Sequence, residues 1–158
     1  MAAAIIARRT FDADEVLSVL KEPQILKTIT EGDCQNIDVD VNKAAFIACD
    51  VDNELAAVFI FDKTGAVVFD IHAHVLPTQR QKSKDIAKVI LKFFFDNFSQ
   101  AEKLTALIPI CYPNVIAFSE AFGFRLEGIN RQSYLHQGQL IDQLYLGATK
   151  AEVLNGLG

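Results

Sequence analysis

Tryptophan is absent from this 158-residue chain, methionine occurs once and proline only four times. No proline-, glycine- or serine-rich tract marks a linker and no internal repeat is visible, so a single domain spanning residues 1–158 is expected. Its length suits one core that buries roughly two-thirds of the surface the unfolded chain would expose. Long hydrophobic runs are missing as well. Apolar residues make up 51% of the chain, yet they lie in short stretches far from the ~20 residues a membrane span needs. The apolar opening Met1–Ala7 is too short for a signal peptide, and Arg8 and Arg9 follow it rather than precede it. A cytoplasmic protein without membrane attachment is expected. The three cysteines, Cys34, Cys49 and Cys111, cannot all pair and match no zinc spacing, which points to reduced thiols. Basic residues are outnumbered 15 to 20, and the net charge of −5 argues against a general nucleic-acid binder.

The positive charge that is present is concentrated. Arg80, Lys82, Lys84, Lys88 and Lys92 face a single acid, Asp85, within one short segment, as a local anion site would require. Around that segment the pattern reads as alternating elements. A first strand is expected over Ala3–Arg9. A helix follows, opening on Asp12 with Glu15 in capping-box spacing and running to Leu20, and Pro23 begins a short second helix. A loop is expected at Gly32 and Asp33. Strands are expected at Phe46–Val51, Leu55–Phe61 and Ala66–Val75, separated by turn-forming Asp52-Asn53 and Asp62–Gly65. Alternation in the last of these puts Asp70, His72 and His74 on one face. Ile86, Val89, Ile90, Phe93 and Phe94 follow helical spacing, with Asp85, Lys88, Lys92 and Asp96 opposite. A buried strand at Leu104–Ile108, a helix at Pro113–Phe122 closed by Gly123, and strands at Phe124–Ile129 and Leu140–Ala148 complete the order. The fold class is therefore α/β, a mixed and mostly antiparallel sheet flanked by helices.

This order and several local phrases resemble the GNAT N-acetyltransferase superfamily, best from Leu55 to Gly147. The most specific part is Ala121-Phe122-Gly123-Phe124-Arg125-Leu126-Glu127-Gly128, followed by Arg131, Gly138 and Asp142. Val75-Leu76-Pro77 and Arg80 resemble the start of the family's acetyl-CoA loop. The resemblance implies acetyl-CoA as co-substrate, with a pyrophosphate site at Arg80, Gln81, Lys82, Ser83, Lys84 and Asp85. Independently of any family, a turn feeding a helix presents unpaired amides and the positive end of the dipole to an anion. Two departures from the family's glycine-rich loop stand out: Ser83 replaces the first glycine and Asp85, a carboxylate, the last small residue. Asp85 either repels the anion or simply caps the helix. A third departure is Ser119, where many members carry a tyrosine that protonates the leaving thiolate. Tyr112 is a substitute donor, and Asn114 is a further cofactor-side candidate. Backbone amides near His74 and Val75 would receive the thioester oxygen.

Other chemistry remains open. His74 is a candidate general base for an ammonium substrate, since imidazole titrates near neutrality. Asp70, His72 and His74 in alternation also suit a metal, although a half-exposed strand needs no function for such residues. Cys111 is a nucleophile if a base lowers its pKa, and otherwise a packing residue. Two main readings follow. One is an acyl-CoA-dependent N-acyltransferase for a primary amine, a protein N-terminus or a small amine, working as a monomer or homodimer. The other is a GNAT-fold protein without catalysis that binds a protein assembly partner. The latter takes up a less specific resemblance to GNAT-like proteins of tailed bacteriophages, including small head-assembly proteins, and would place the chain in a host cytoplasm. An RNA-binding module built on the basic loop is a third reading, opposed by the acidic balance.

Overall fold

The structure, a computed structural model, describes residues 2–31 and 36–158; the loop expected at Gly32 and Asp33, and Cys34, lie outside the described residues. Seven strands form one sheet: β1 (Ile5–Arg9), β2 (Ala45–Val51), β3 (Glu54–Lys63), β4 (Val68–Val75), β5 (Lys103–Pro109), β6 (Arg125–His136) and β7 (Gln139–Thr149). Their spatial order is β1-β2-β3-β4-β5-β7-β6, antiparallel throughout except for the β4–β5 pair. Among the described residues five α-helices accompany them: α1 (Ala13–Leu20), α2 (Pro23–Ile29), α3 (Ser83–Asn97), α4 (Pro113–Ala121) and α5 (Lys150–Gly156).

Local chemistry explains most of the boundaries. Asp12 caps α1 by accepting from the Asp14 and Glu15 amides. The expected box is only half made, because Glu15 turns instead to Arg8 and to the Thr10 hydroxyl. Asp52 and Asn53 both adopt positive φ (50° and 69°), as a tight hairpin between β2 and β3 demands. At the end of α4, Gly123 has φ 92°, and a Cβ there would sit 2.8 Å from the Glu152 carbonyl oxygen, so this turn admits only glycine without strain.

The sheet is packed on two sides. On one, α3 covers it with Ile86, Ala87, Ile90, Leu91, Phe94 and Phe95. Phe94 stacks on Phe61 at 4.0 Å and meets Phe69 edge-on at 5.1 Å. The buried stripe is therefore turned toward Ala87, Leu91 and Phe95 relative to the expected one, leaving Val89 and Phe93 half-buried. A flanking helix that also meets α5 buries a wider arc than periodicity alone marks. On the other side, Val16, Val19, Leu20 and Ile25 of α1 and α2 close over Phe46, Ala48 and Val58.

Candidate active site

The site is created by a pairing that runs out. β4 and β5 lie parallel only where Val68, Phe69 and Asp70 meet Lys103, Leu104 and Thr105. Beyond Asp70 the two strands part, and a cavity of about 680 Å³ opens between them, within the ~300–1,000 Å³ usual for small-molecule sites. The Leu76 N–H donates to the Ala56 carbonyl on β3 (2.8 Å). Strand alternation then directs the Ala73 and Val75 N–H groups the other way, into the gap. The Val75 carbonyl, on that same side, accepts from Arg80 Nε at 3.3 Å.

The cavity passes through the sheet. On the α3 side it is walled by Ser83, Ala87 and Leu91 of α3 and by Asn114, Val115, Phe118 and Ser119 of α4. On the α2 side it is walled by Ile25, Thr28 and Ile29, with His72, His74, Leu107, Tyr134 and Gln143. Of the residues singled out from sequence, His74, Val75, Arg80, Ser83, Tyr112, Asn114 and Ser119 all line it, as does Cys111. Gln81, Lys82, Lys84 and Asp85 do not line it; Gln81, Lys84 and Asp85 are exposed and Lys82 is half-buried.

The basic loop is not an open turn but a 3-10 helix, Pro77–Lys82, running directly into α3. Its winding uses some of the amides: Gln79 N–H donates to Leu76 O, and Ser83 N–H to Arg80 O. The expectation that Asp85 caps the helix is not met. No side chain caps α3, and the Asp85 carboxylate makes no hydrogen bond among the described residues. The start of α3 is thus left to Arg80 and Ser83 on the cavity side, while Asp85 faces solvent.

Electrostatics separate the candidate acids and bases. Burial, with the neighbouring His72 adding to it, lowers the His74 pKa to about 4, so the imidazole is neutral at neutral pH but a weak base. Asp70 sits 3.2 Å from His72 and accepts from the Thr105 hydroxyl at 3.0 Å. The metal alternative fails on geometry, since no group of three or more His, Cys, Asp or Glu side chains is placed to hold an ion among the described residues. Ser119 donates its hydroxyl proton to the Val115 carbonyl at 2.9 Å, the usual back-bond of a helical serine. The Tyr112 phenol has its pKa raised by burial and then by its hydrogen-bonding neighbours Tyr134 and Cys111, which keeps it protonated at neutral pH.

No family model and no curated sequence matches the chain. Solved structures do. Spermidine N-acetyltransferase SpeG from Vibrio cholerae, in complex with CoA and spermine, superposes with a TM-score of 0.78 at 12% identity over 96% of this chain and 98% of its own. A mutant form of the same SpeG gives 0.76 at 11% identity, covering 96% of each chain. The Salmonella typhimurium protein yncA with acetyl-CoA gives 0.70 at 12% identity over 93% and 94%. The fold is that of the GNAT acetyltransferases. None of these neighbours supports the reading as an assembly protein.

Within the GNAT fold, the motif that carries the sequence resemblance is architectural. Glu127 pairs with Lys103 (2.6 Å), and its carboxylate crosses over Gly147 at a point any Cβ would occupy. Asp142 accepts from the Gln132 N–H at 2.8 Å, holding a bulge in β6 where Gln132 takes φ 51°. That bulge lets β6 continue to His136, well past the expected end at Ile129. Tyr134 is brought to the cavity by this extension. Its signal is hidden behind the polar run Asn130–Ser133, which reads as a loop. The wall from α2 and the Leu107 and Gln143 positions carry no mark in the sequence, because only the tertiary arrangement brings them together.

Proposed function

We propose that this chain is an acyl-CoA-dependent N-acyltransferase, with acetyl-CoA as donor and a primary amine as acceptor. The observation that carries the reading is the cavity through the sheet, which joins two differently built chambers at the place where β4 parts from β5. A two-substrate transfer needs such a junction, because the acyl carbon must be reachable by both molecules at once. The residues suit a CoA thioester. Arg80 and Ser83 stand at the start of a 15-residue helix whose positive end favours phosphate. No carboxylate bonds to the amides there. The inward N–H of Val75 is an oxyanion donor at the gap.

In the reaction, the amine nitrogen attacks the thioester carbonyl, the C–N bond forms, and the C–S bond breaks as the tetrahedral intermediate collapses. The nitrogen loses a proton and the departing thiolate takes one up. A neutral His74 faces the acceptor chamber, and the protonated Tyr112 lies beside the gap as proton donor. Ser119, with its proton already given to Val115, is relieved of that part. Titration calorimetry with acetyl-CoA tests the reading. Micromolar binding is expected, weakened at least about tenfold by Arg80→Glu, which reverses the sole formal charge lining the cavity among the described residues. Absence of heat with the unaltered protein would remove the transferase reading.

A further inference from the structure

From the charge of the acceptor chamber we infer its substrate class: a primary monoamine with an apolar or aromatic body, and not a polyamine. The inference rests on the transferase reading above and concerns the same cavity. Among the described residues that line it there is no aspartate or glutamate at all. Three carboxylates on neighbouring elements lie outside the lining, each held by its own hydrogen bonds. Glu31, just after α2, accepts from the Leu135 N–H at 2.6 Å, Asp70 is held by Thr105 and His72, and Asp142 holds the β6 bulge. His74 is neutral near pH 7 and offers no negative charge.

A single ammonium can enter such a chamber, because it must lose its proton before attacking and desolvation favours that loss. A second or third ammonium farther along the same molecule has no such exit. It would be desolvated with no carboxylate among the described lining residues to pair with it, which weakens transition-state binding for each such ion. The chamber instead presents Ile25, Ile29, Leu107 and the ring of Tyr134, with Thr28 and Gln143 as its neutral polar groups. These surfaces fit a hydrocarbon or aryl body behind one reactive nitrogen.

The test is thiol release from saturating acetyl-CoA by the full chain, with phenethylamine or spermidine as acceptor, alongside calorimetric titration of acetyl-CoA. Phenethylamine is expected to show kcat/KM at least about 100-fold above spermidine. In Thr28→Glu, which adds a carboxylate on the exposed side of the α2 wall, spermidine should gain at least about tenfold relative to phenethylamine. If acetyl-CoA binds and spermidine is used as well as phenethylamine, or neither amine is used, the substrate class is overturned while the donor site stands. An unchanged preference in Thr28→Glu overturns the charge argument itself. If acetyl-CoA does not bind, the transferase reading fails and the acceptor class falls with it.

Discussion

Strands β2 and β3 are packed on both faces, by α3 on one side and by α1 and α2 on the other, and β4 lies beside them at the gap. Across the gap, β7 turns Leu146 and Ala148 inward but leaves Tyr145 exposed, and β6 carries Leu126 and Ile129 in the open at 58% and 55% exposure. The closed half supplies the cavity with a histidine, His74, whose proton affinity is held down by burial. The open half supplies a phenol, Tyr134, on a rim built around a bulge. One cavity thus takes a closely packed wall from one half of the sheet and a more exposed wall from the other. Packing density is divided between the halves, while polar and apolar lining residues come from both.

Stability measurements test that division most severely. Phe94→Ala removes the ring stacked on Phe61 and Phe98 and should cost about 3–5 kcal/mol in denaturant unfolding. Leu140→Ala on the open half, 60% exposed, should stay within about 0.5 kcal/mol. Equal losses would mean that the two halves are not differently packed after all. A smaller effect is expected at the phenol wall. Tyr112→Phe should lower kcat about 100-fold, by about the same factor across the neutral and mildly alkaline range, because burial keeps the phenol protonated throughout it. Ser119→Ala should leave kcat within about a factor of two, since its proton is already committed to Val115. The reverse ranking would move the proton donor back to α4.

The smallest effect belongs to the closed half. The unfolded chain protonates His74 near pH 6.5, whereas the folded chain resists until about pH 4. Between those values the unfolded state binds more protons, so stability falls as pH drops through that window and is level above it. His74→Gln should flatten part of this slope in unfolding curves taken from pH 4 to 7. A slope unchanged by the substitution would show that His74 is not held in a desolvating environment.

Most of the architecture can be read from the residues because it rests on local rules. Hairpin chemistry at Asp52-Asn53, the glycine stop at Gly123 and the spacing of Ile86, Ile90 and Phe94 each act within a few neighbours. The short α5 is harder to see although Thr149 and Glu152 form a complete capping box at its start, since about two turns of helix carry little periodicity. The site is harder still. Arg80, Ser83 and His74 are marked by type and spacing, and all reach the cavity. Gln81, Lys82, Lys84 and Asp85 are marked by the same motif and lie outside it, because Arg80 and Ser83, three residues apart, share the face of the helical turn that meets the cavity and the others fall on different faces. Tyr134 and the α2 wall depend on where β6 bulges and where β5 leaves β4, which are properties of long-range register.

The three-residue contact between β4 and β5 has a further consequence. It leaves main-chain amides of Ala73 and Val75 without a strand neighbour at the middle of the sheet, where such groups are ordinarily satisfied. A strand of this kind has the adhesive chemistry of a sheet margin. Facing the cavity between α3 and α4, it offers a thin, extended molecule main-chain hydrogen bonds that a fully paired strand would have spent on its neighbour.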